Sequence, residues 1–315
     1  MKVTKIIREA NKPLFSYEIM PPLRGGSAGK IFRLVEDLMP YNPPFIDLTS
    51  RSAEIEYFDT PNGKFERHVR RKRPGTIGLS AAIKNRFNVE TVPHLLCNGF
   101  TREETEDALI ELNYLDILNV LAVRGDDLRR NVDTRHKTIN LYAKDLVNQI
   151  VELNGGQYLD ELLDASATNF CIGVGGYPEK HFEASDLDTD LKYLKEKADA
   201  GADYIVTQMF FENKSFFNFV EKARAVGIKI PIIPGLKILT LKRHLEIIPE
   251  NFFINIPDAL AQQVEDAKTD NEVKKIGLKW AIDQTKELYN ANVPCIHFYI
   301  MQSAAQVVNV VKEFE

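Results

Sequence analysis

Short apolar runs alternate with segments whose apolar positions recur every three or four residues along almost the whole chain. Runs of branched residues without polar alternation suit parallel strands covered on both faces, and the intervening period suits amphipathic helices. The pattern predicts strands at Leu14–Met20, Phe45–Thr49, Thr91–Cys97, a fourth from Ile117 that ends in Arg124-Gly125-Asp126, then Phe170–Val174, Asp203–Gln208, Ile230–Pro234 and Cys295–Tyr299. It predicts helices at Ile31–Met39 (Ile31, Leu34, Val35 and Leu38 on one stripe), 76–88, Leu141–Leu153, 186–200, Phe216–Ala225, after Thr240, near 273–289, and Ala304–Val311. Thr101-Arg102-Glu103-Glu104 is a capping box that opens a further helix to about Asn113. Alternation alone would fit an open doubly wound sheet. Eight βα units favour a closed barrel, so the expected fold class is α/β, a single (β/α)8 TIM barrel over residues 1–315.

Two polar stretches interrupt the rhythm. Residues 52–74 carry the basic run His68-Val69-Arg70-Arg71-Lys72-Arg73 and read as an inserted, solvated loop; the sharper alternative is a landing strip for a phosphate or polyglutamate. Residues 127–139 follow the fourth strand and are expected at the barrel mouth as a lid.

Composition narrows the class. A chain of 315 residues with 44% hydrophobic and 27% charged residues is globular, and a net charge of −5 argues against nucleic acid as partner. Cys97, Cys171 and Cys295 are widely spaced, so no disulfide framework or metal site is expected. No apolar run approaches membrane-spanning length and the N-terminus lacks a signal-like segment, so a soluble, cytoplasmic protein is expected.

Ligands in parallel α/β folds collect at the C-terminal ends of strands, and three predicted strands end in a chemically useful group. Glu18 alternates with apolar neighbours. Burial would push its carboxyl toward neutrality, as a general acid needs, or it would form an ion pair with Arg124 inside the barrel. Gly125 lets the backbone turn close to a ligand between Arg124 and Asp126, although Asp126 is equally a good helix N-cap. Gln208 offers donor and acceptor to a heterocycle edge, or is an amide satisfied by backbone. His94 on its strand reads as a core histidine; His181, in the loop after the fifth strand, belongs to the active face. Gly173-Val174-Gly175-Gly176 lacks the helix start of a dinucleotide loop, and no P-loop, zinc signature or nucleophile elbow is present.

The ordered set Phe15-Ser16-Tyr17-Glu18-Ile19-Met20-Pro21-Pro22, Pro93-His94-Leu95-x-Cys97, Leu121-Ala122-Val123-Arg124-Gly125-Asp126, Gly176-Tyr177-Pro178-Glu179-x-His181, Lys197 to Ala202, Thr207 to Phe211, Ile233-Pro234-Gly235 and His297-Phe298-Tyr299 resembles the methylenetetrahydrofolate reductase family across nearly the entire chain. The resemblance implies FAD as cofactor, NAD(P)H and methylenetetrahydrofolate as ligands, a product that supplies methyl groups for methionine synthesis, and a homo-oligomer. It implies a flavin site on Thr49, His94, Val123, Arg124, Gly125, Asp126, Tyr142, Ala143, Leu146, Tyr177, His181, Asp190, Lys197 and Ala202. It implies a folate site on Glu18, Asp126, Gln208 and Tyr299, with Glu18 and Asp126 catalytic. Arg124, Lys197 and His181 would meet the flavin pyrophosphate, Asp190 a sugar hydroxyl, and Gln208 and Asp126 the pterin edge. Rival readings are another flavin barrel, similar to proline dehydrogenase, and a non-redox folate-binding methyltransfer barrel.

The sequence departs from the family's pattern at Thr49-Ser50-Arg51-Ser52, at Leu236-Lys237-Ile238-Leu239, at Ile248 and at Tyr193. Eukaryotic relatives carry a C-terminal regulatory domain, which this chain is expected to lack.

Overall fold

The structure, a computed structural model, describes residues 1–70, 73, 75–125 and 138–315. The strands among them are β1 (Leu14–Ile19), β2 (Phe45–Leu48), β3 (Glu54–Asp59), β4 (Phe65–Arg70), β5 (Glu90–Leu96), β6 (Asn119–Val123), β7 (Cys171–Gly176), β8 (Tyr204–Met209), β9 (Ile232–Leu236) and β10 (Cys295–Met301). The α-helices are α1 (Val3–Glu9), α2 (Ala28–Leu38), α3 (Thr76–Phe87), α4 (Arg102–Tyr114), α5 (Ala143–Asn154), α6 (Leu187–Asp199), α7 (Asn213–Ala225), α8 (His244–Phe252), α9 (Asp258–Asp266), α10 (Asp270–Asn290) and α11 (Ala305–Val311). Eight strands close a parallel barrel in the order β1-β10-β9-β8-β7-β6-β5-β2, which confirms the (β/α)8 expectation. No helix among the described residues is long and apolar enough to cross a membrane.

Alternation along each strand sorts its side chains into two layers. Tyr17, Ile19, Ile46, Leu48, Ala122, Ile172, Val174 and Ile205 point outward and pack under Leu34, Leu109, Leu112, Val147, Ile150, Leu194 and Phe219 of the helices. Phe45, Val92, Leu121, Cys171, Tyr204, Val206, Ile233 and Cys295 fill the lumen. The glycines of β7 belong to this packing: a Cβ on Gly173 would lie 2.5 Å from the Tyr204 ring, and one on Gly176 2.8 Å from Ile205. That is the physical reason for the Gly-x-Gly-Gly stretch, which opens no dinucleotide loop.

The sequence pattern missed α1. Its Val3 side chain joins the lumen cluster, and Val3 N–H donates to Asn119 Oδ1 at 2.8 Å, so the helix plugs the end of the barrel opposite the strand C-termini. The capping box at Thr101 and Glu104 is formed as expected, with both reciprocal hydrogen bonds present. Strand β7 runs two residues past the expected end, while β9 starts two residues later, at Ile232, although the Pro231 carbonyl still accepts from the Ile205 N–H at 2.9 Å.

Residues 52–74 are not the loop expected. They contain the antiparallel hairpin β3–β4, with Glu54 opposite Arg70 and Asp59 opposite Phe65. Its turn holds Gly63 at φ +69, and Thr60 closes it through hydrogen bonds with Lys64. Arg71 and Lys72 of the basic run, and most of the expected lid, lie outside the described residues.

Candidate functional site

The polar residues of the lumen gather at the C-terminal end of the barrel, above the apolar filling. Glu18 is the next-to-last residue of β1, in register with Asp47 of β2 on one side and Tyr299 of β10 on the other. Ser16, two residues below, hydrogen-bonds His297 Nδ1 at 2.8 Å and also accepts from the Cys295 thiol. These inward side chains share one face of adjacent strands, which is how residues distant in sequence come together.

Burial pushes the Glu18 carboxyl up to about 7; His94 and Lys237 pull it down and Asp47 pushes it up, with burial prevailing. The ion pair with Arg124 that the sequence allowed is replaced by a different partner: His94 Nε2 lies 3.6 Å from Glu18 Oε2 and 3.4 Å from Asp47 Oδ2. His94 is therefore not an inert core histidine. Burial alone would lower its pKa, but Asp47 and Glu18 outweigh that and the net direction is upward. Asp47 is fully buried, and neither of its carboxylate oxygens nor His94 Nε2 completes a well-aligned hydrogen bond among the described residues. Below them His297 is held neutral, its pKa lowered by burial to about 4.

Four further groups stand around this cluster. Tyr299 Oη donates to the Thr207 carbonyl at 2.6 Å, across Gly235, where a Cβ would meet Thr207 O at 2.2 Å and the Tyr299 ring at 2.6 Å. Gln208 Oε1 accepts from the Met209 N–H at 2.9 Å, so its amide N–H donors are the part of the side chain not engaged by that bond. Lys237, just beyond β9, donates to the Tyr299 carbonyl at 3.4 Å; burial lowers its pKa and Glu18 opposes the drop. Thr49, just beyond β2, has its hydroxyl oxygen buried without a hydrogen-bond partner among the described residues.

A second, cationic region lies over β6 and β7. Lys197 of α6 is held by the Gly175 carbonyl at 2.6 Å, and burial lowers its ammonium to about 8 despite the nearby Asp190. Burial also lowers His181; Glu183 raises it, while Lys197, Arg124 and Lys180 add to the drop. The expected trio Arg124, His181 and Lys197 is thus brought together, with Lys180 as a fourth member. Arg124 forms an ion pair with Glu183 and lies 5.7 Å from the centre of the exposed Tyr142 ring. Gly125 adopts φ +86, the left-handed conformation expected of a glycine at this turn, and its carbonyl accepts from Asn98 Nδ2. Buried Asp190 accepts from the His181 N–H at 3.0 Å, while the Tyr177 ring meets His181 edge-on.

Val123 ends β6 half-buried, and Ala143 opens α5. Leu146 and Ala202 are buried in the barrel–helix core. Asp126 lies outside the described residues. Sequence reasoning did not single out Asp47, Lys180, Lys237 or a role for His297. The signal for Asp47 was the same as for Glu18, a carboxylate within an apolar strand. Lys237 stood in a segment already marked as unusual.

Residues 2–315 match the family model for methylenetetrahydrofolate reductase. The chain belongs to this family. Methylenetetrahydrofolate reductase 1 of Schizosaccharomyces pombe is 30% identical over 292 residues, covering 92% of this chain and 44% of the relative. The 5,10-methylenetetrahydrofolate reductase of Escherichia coli is 27% identical over 290 residues, covering 92% of this chain and 86% of the relative. The chain spans about half the length of the curated eukaryotic relatives it matches. A solved structure of an uncharacterized Clostridium thermocellum protein that binds two copies of 5-methyl-5,6,7,8-tetrahydrofolic acid has a TM-score of 0.58 and 12% identity, covering 98% of each chain, a likeness of fold.

Proposed function

We propose that this chain reduces 5,10-methylenetetrahydrofolate to 5-methyltetrahydrofolate, using NADH or NADPH through bound FAD, with Glu18 as the proton donor. The observation that carries this reading is the buried Glu18 carboxyl at the barrel mouth, held near neutrality at about 7. A carboxylic acid at that value gives up a proton at working pH and recovers it between turnovers. Opening the imidazolidine ring breaks a C–N bond, and Glu18 protonates the departing nitrogen, ending as a carboxylate beside His94 and Lys237.

The residues present fit a flavin. The buried Thr49 hydroxyl lacks a hydrogen-bond partner among the described residues, and buried polar atoms are normally satisfied. Lys197, Arg124, Lys180 and His181 supply the positive potential that a pyrophosphate requires. FAD, when bound, supplies the hydride relay between the nicotinamide and the folate carbon. In this reading Thr49 and His94 orient its ring system, Tyr177, Asp190 and Lys197 hold its tail, and Gln208 and Tyr299 fix the pterin above Glu18. Asp126 enters from the sequence alone. The same reading takes residues 1–315 as one catalytic domain of a cytoplasmic homo-oligomer that feeds methionine synthesis.

The test is the absorption spectrum of the purified protein: a flavin band that bleaches with NADH or NADPH and returns on adding methylenetetrahydrofolate. A colourless protein that FAD cannot reconstitute overturns the proposal, and folate binding without bleaching points to the non-redox barrel.

A further inference from the structure

The segment that leaves β9 carries Lys237, Arg243 and His244 at the barrel mouth. Its backbone is anchored between them. Leu239 is buried with Phe211, Ile248 and Val273, and its carbonyl rests on Gly277 of α10. The Thr240 N–H donates to His244 Nδ1 at 3.3 Å, so the proton of the neutral ring sits on Nε2. Burial, Lys237 and Arg243 hold His244 neutral, at about 4. Lys237 also faces Glu18. The three side chains therefore form a row, from half-buried Lys237 beside the proposed acid to exposed Arg243 at the outer end.

This row has no counter-charge of its own. Elsewhere on the barrel surface lysines pair with acids, as Lys144 does with Glu196 and Lys222 with Asp188. Among the described residues neither Lys237 nor Arg243 forms an ion pair, and Lys237 makes only a long contact, 3.4 Å, to the Tyr299 carbonyl. Both charges acting on His244 are positive. Glu246, the next acid along α8, is exposed and pairs with none of the three. Unmatched cations gathered at a mouth, in a chain of net charge −5, suit an anionic ligand.

The chemistry of a folate supplies that anion in the right place. In 5-methyltetrahydrofolate the methyl stays on the pterin ring nitrogen, so the nitrogen that departs is the other one, which carries the aminobenzoyl-glutamate. The tail thus leaves the pocket from beside Glu18, where Lys237 is the adjacent lysine. One amide further on come its carboxylates, and each added γ-linked glutamate brings another. We propose that Lys237, His244 and Arg243 are a carboxylate-binding row for the glutamyl tail, which makes pteroylpolyglutamates the preferred substrates of this chain. The proposal rests on reading a folate as substrate. Lys237 meets the inner carboxylate, His244 donates from Nε2–H, and Arg243 offers its planar fork to the outer ones.

The experiment measures binding of tetrahydropteroate, its monoglutamate and its triglutamate to the purified, flavin-loaded protein without oxygen. These ligands lack the one-carbon unit, so no hydride is transferred. Wild type is expected to bind the triglutamate at least about tenfold tighter than the pteroate, with a preference that shrinks in high salt. Triglutamate affinity is expected to fall about threefold in R243A and about tenfold in K237M, in each case by more than pteroate affinity falls. R243E is expected to bind it more weakly than R243A. Arg243 is exposed, so its two variants keep the test if K237M does not fold. Equal wild-type affinity for the three ligands overturns the proposal and leaves the reductase reading standing. Equal losses for all three ligands in the variants make the row structural, and an undiminished tail preference puts the tail elsewhere; either result overturns it. A rise in KM for NADPH but not NADH, with tail preference intact, assigns the row to a nucleotide phosphate and also overturns it. Failure of all three ligands to bind refutes the folate reading and the row together.

Discussion

The Lys197 ammonium donates to the Gly175 carbonyl at 2.6 Å and forms no ion pair within bonding distance among the described residues. Its folded pKa of about 8 lies below its ordinary 10.5, so charged Lys197 costs stability at neutral pH. That cost is absent above the ordinary value, builds as pH falls from there to the folded one, and is complete below it. An arriving phosphate removes the cost. Lys197→Ala is therefore expected to weaken FAD binding by roughly 1.5–3 kcal/mol, about 10- to 100-fold, while leaving the melting temperature of the flavin-free protein equal or higher. Melts with and without FAD check this; an apo form strongly destabilised by the substitution would contradict it.

Glu18→Gln separates the two half-reactions. Flavin reduction by nicotinamide needs no proton donor, whereas ring opening does, and loss of a general acid costs on the order of 10²–10⁴ in rate. Stopped-flow bleaching by NADH or NADPH is expected to persist while reoxidation by methylenetetrahydrofolate collapses. Parallel losses in both would make Glu18 a structural partner of His94.

The wild-type pH dependence follows from the same group. In the proposed mechanism Glu18 must be protonated to act, so the folate half-reaction is expected to be flat below about 7 and to fall tenfold per pH unit above it. Stability runs the same way. A carboxyl whose folded pKa is raised from 4.5 to about 7 contributes stability that is complete below the lower value and is lost as pH rises through the higher. E18Q removes that dependence. Denaturant titrations are thus expected to show wild type losing ground to E18Q as pH climbs through this window, and parallel curves would refute it.

Much of this architecture is legible in the chain because parallel strands, buried on both faces, leave continuous apolar runs that few other elements imitate. The hairpin was not legible: the charges along Glu54 to Asp59 and Phe65 to Arg70 made these runs look like loop. Its readable signal was the Pro61-Asn62-Gly63 turn between two short alternating runs. At the site, Glu18 stood out because a lone carboxylate between apolar residues needs an explanation. Asp47 carried the same mark, but only the register of β1 against β2 shows that both reach His94. Pairing across strands is a tertiary fact that no single segment records.

Gln208 makes a sharper case than its charge-free side chain implies. With Oε1 engaged by the Met209 N–H, only the amide N–H groups remain for a ligand. Gln208→Glu removes those donors at nearly constant shape and adds a charge, so folate binding is expected to weaken more than in Gln208→Ala, by about tenfold or more for an unmatched buried polar group. Titration of folate quenching in the two variants measures the order; the reverse order would place the Gln208 oxygen, not its nitrogen, toward the ligand.

Gly277 lies inside α10, where alanine usually gains about 1 kcal/mol over glycine. Here a Cβ would sit 2.0 Å from the Leu239 carbonyl, because the segment after β9 rests directly on the helix. Gly277→Ala is expected to destabilise by roughly 1–3 kcal/mol instead. Chemical denaturation checks the sign, and a more stable variant would show that the helix stands off.

Strand β1 pairs with β10 from Leu14 against Cys295 to Glu18 against Tyr299, and the Ser16–His297 hydrogen bond joins residues 281 positions apart. During synthesis, β1 emerges early and must wait with one edge unpaired until nearly the whole barrel sequence has been made. Contacts of such long range form late and slowly, and open strand edges are exposed to wrong partners meanwhile. Glu18, the proposed acid, therefore acquires its surroundings at the last closing event of folding. Conditions that slow closure, such as low temperature or substitution in β10, should produce chains with native-like helix content and no reductase activity.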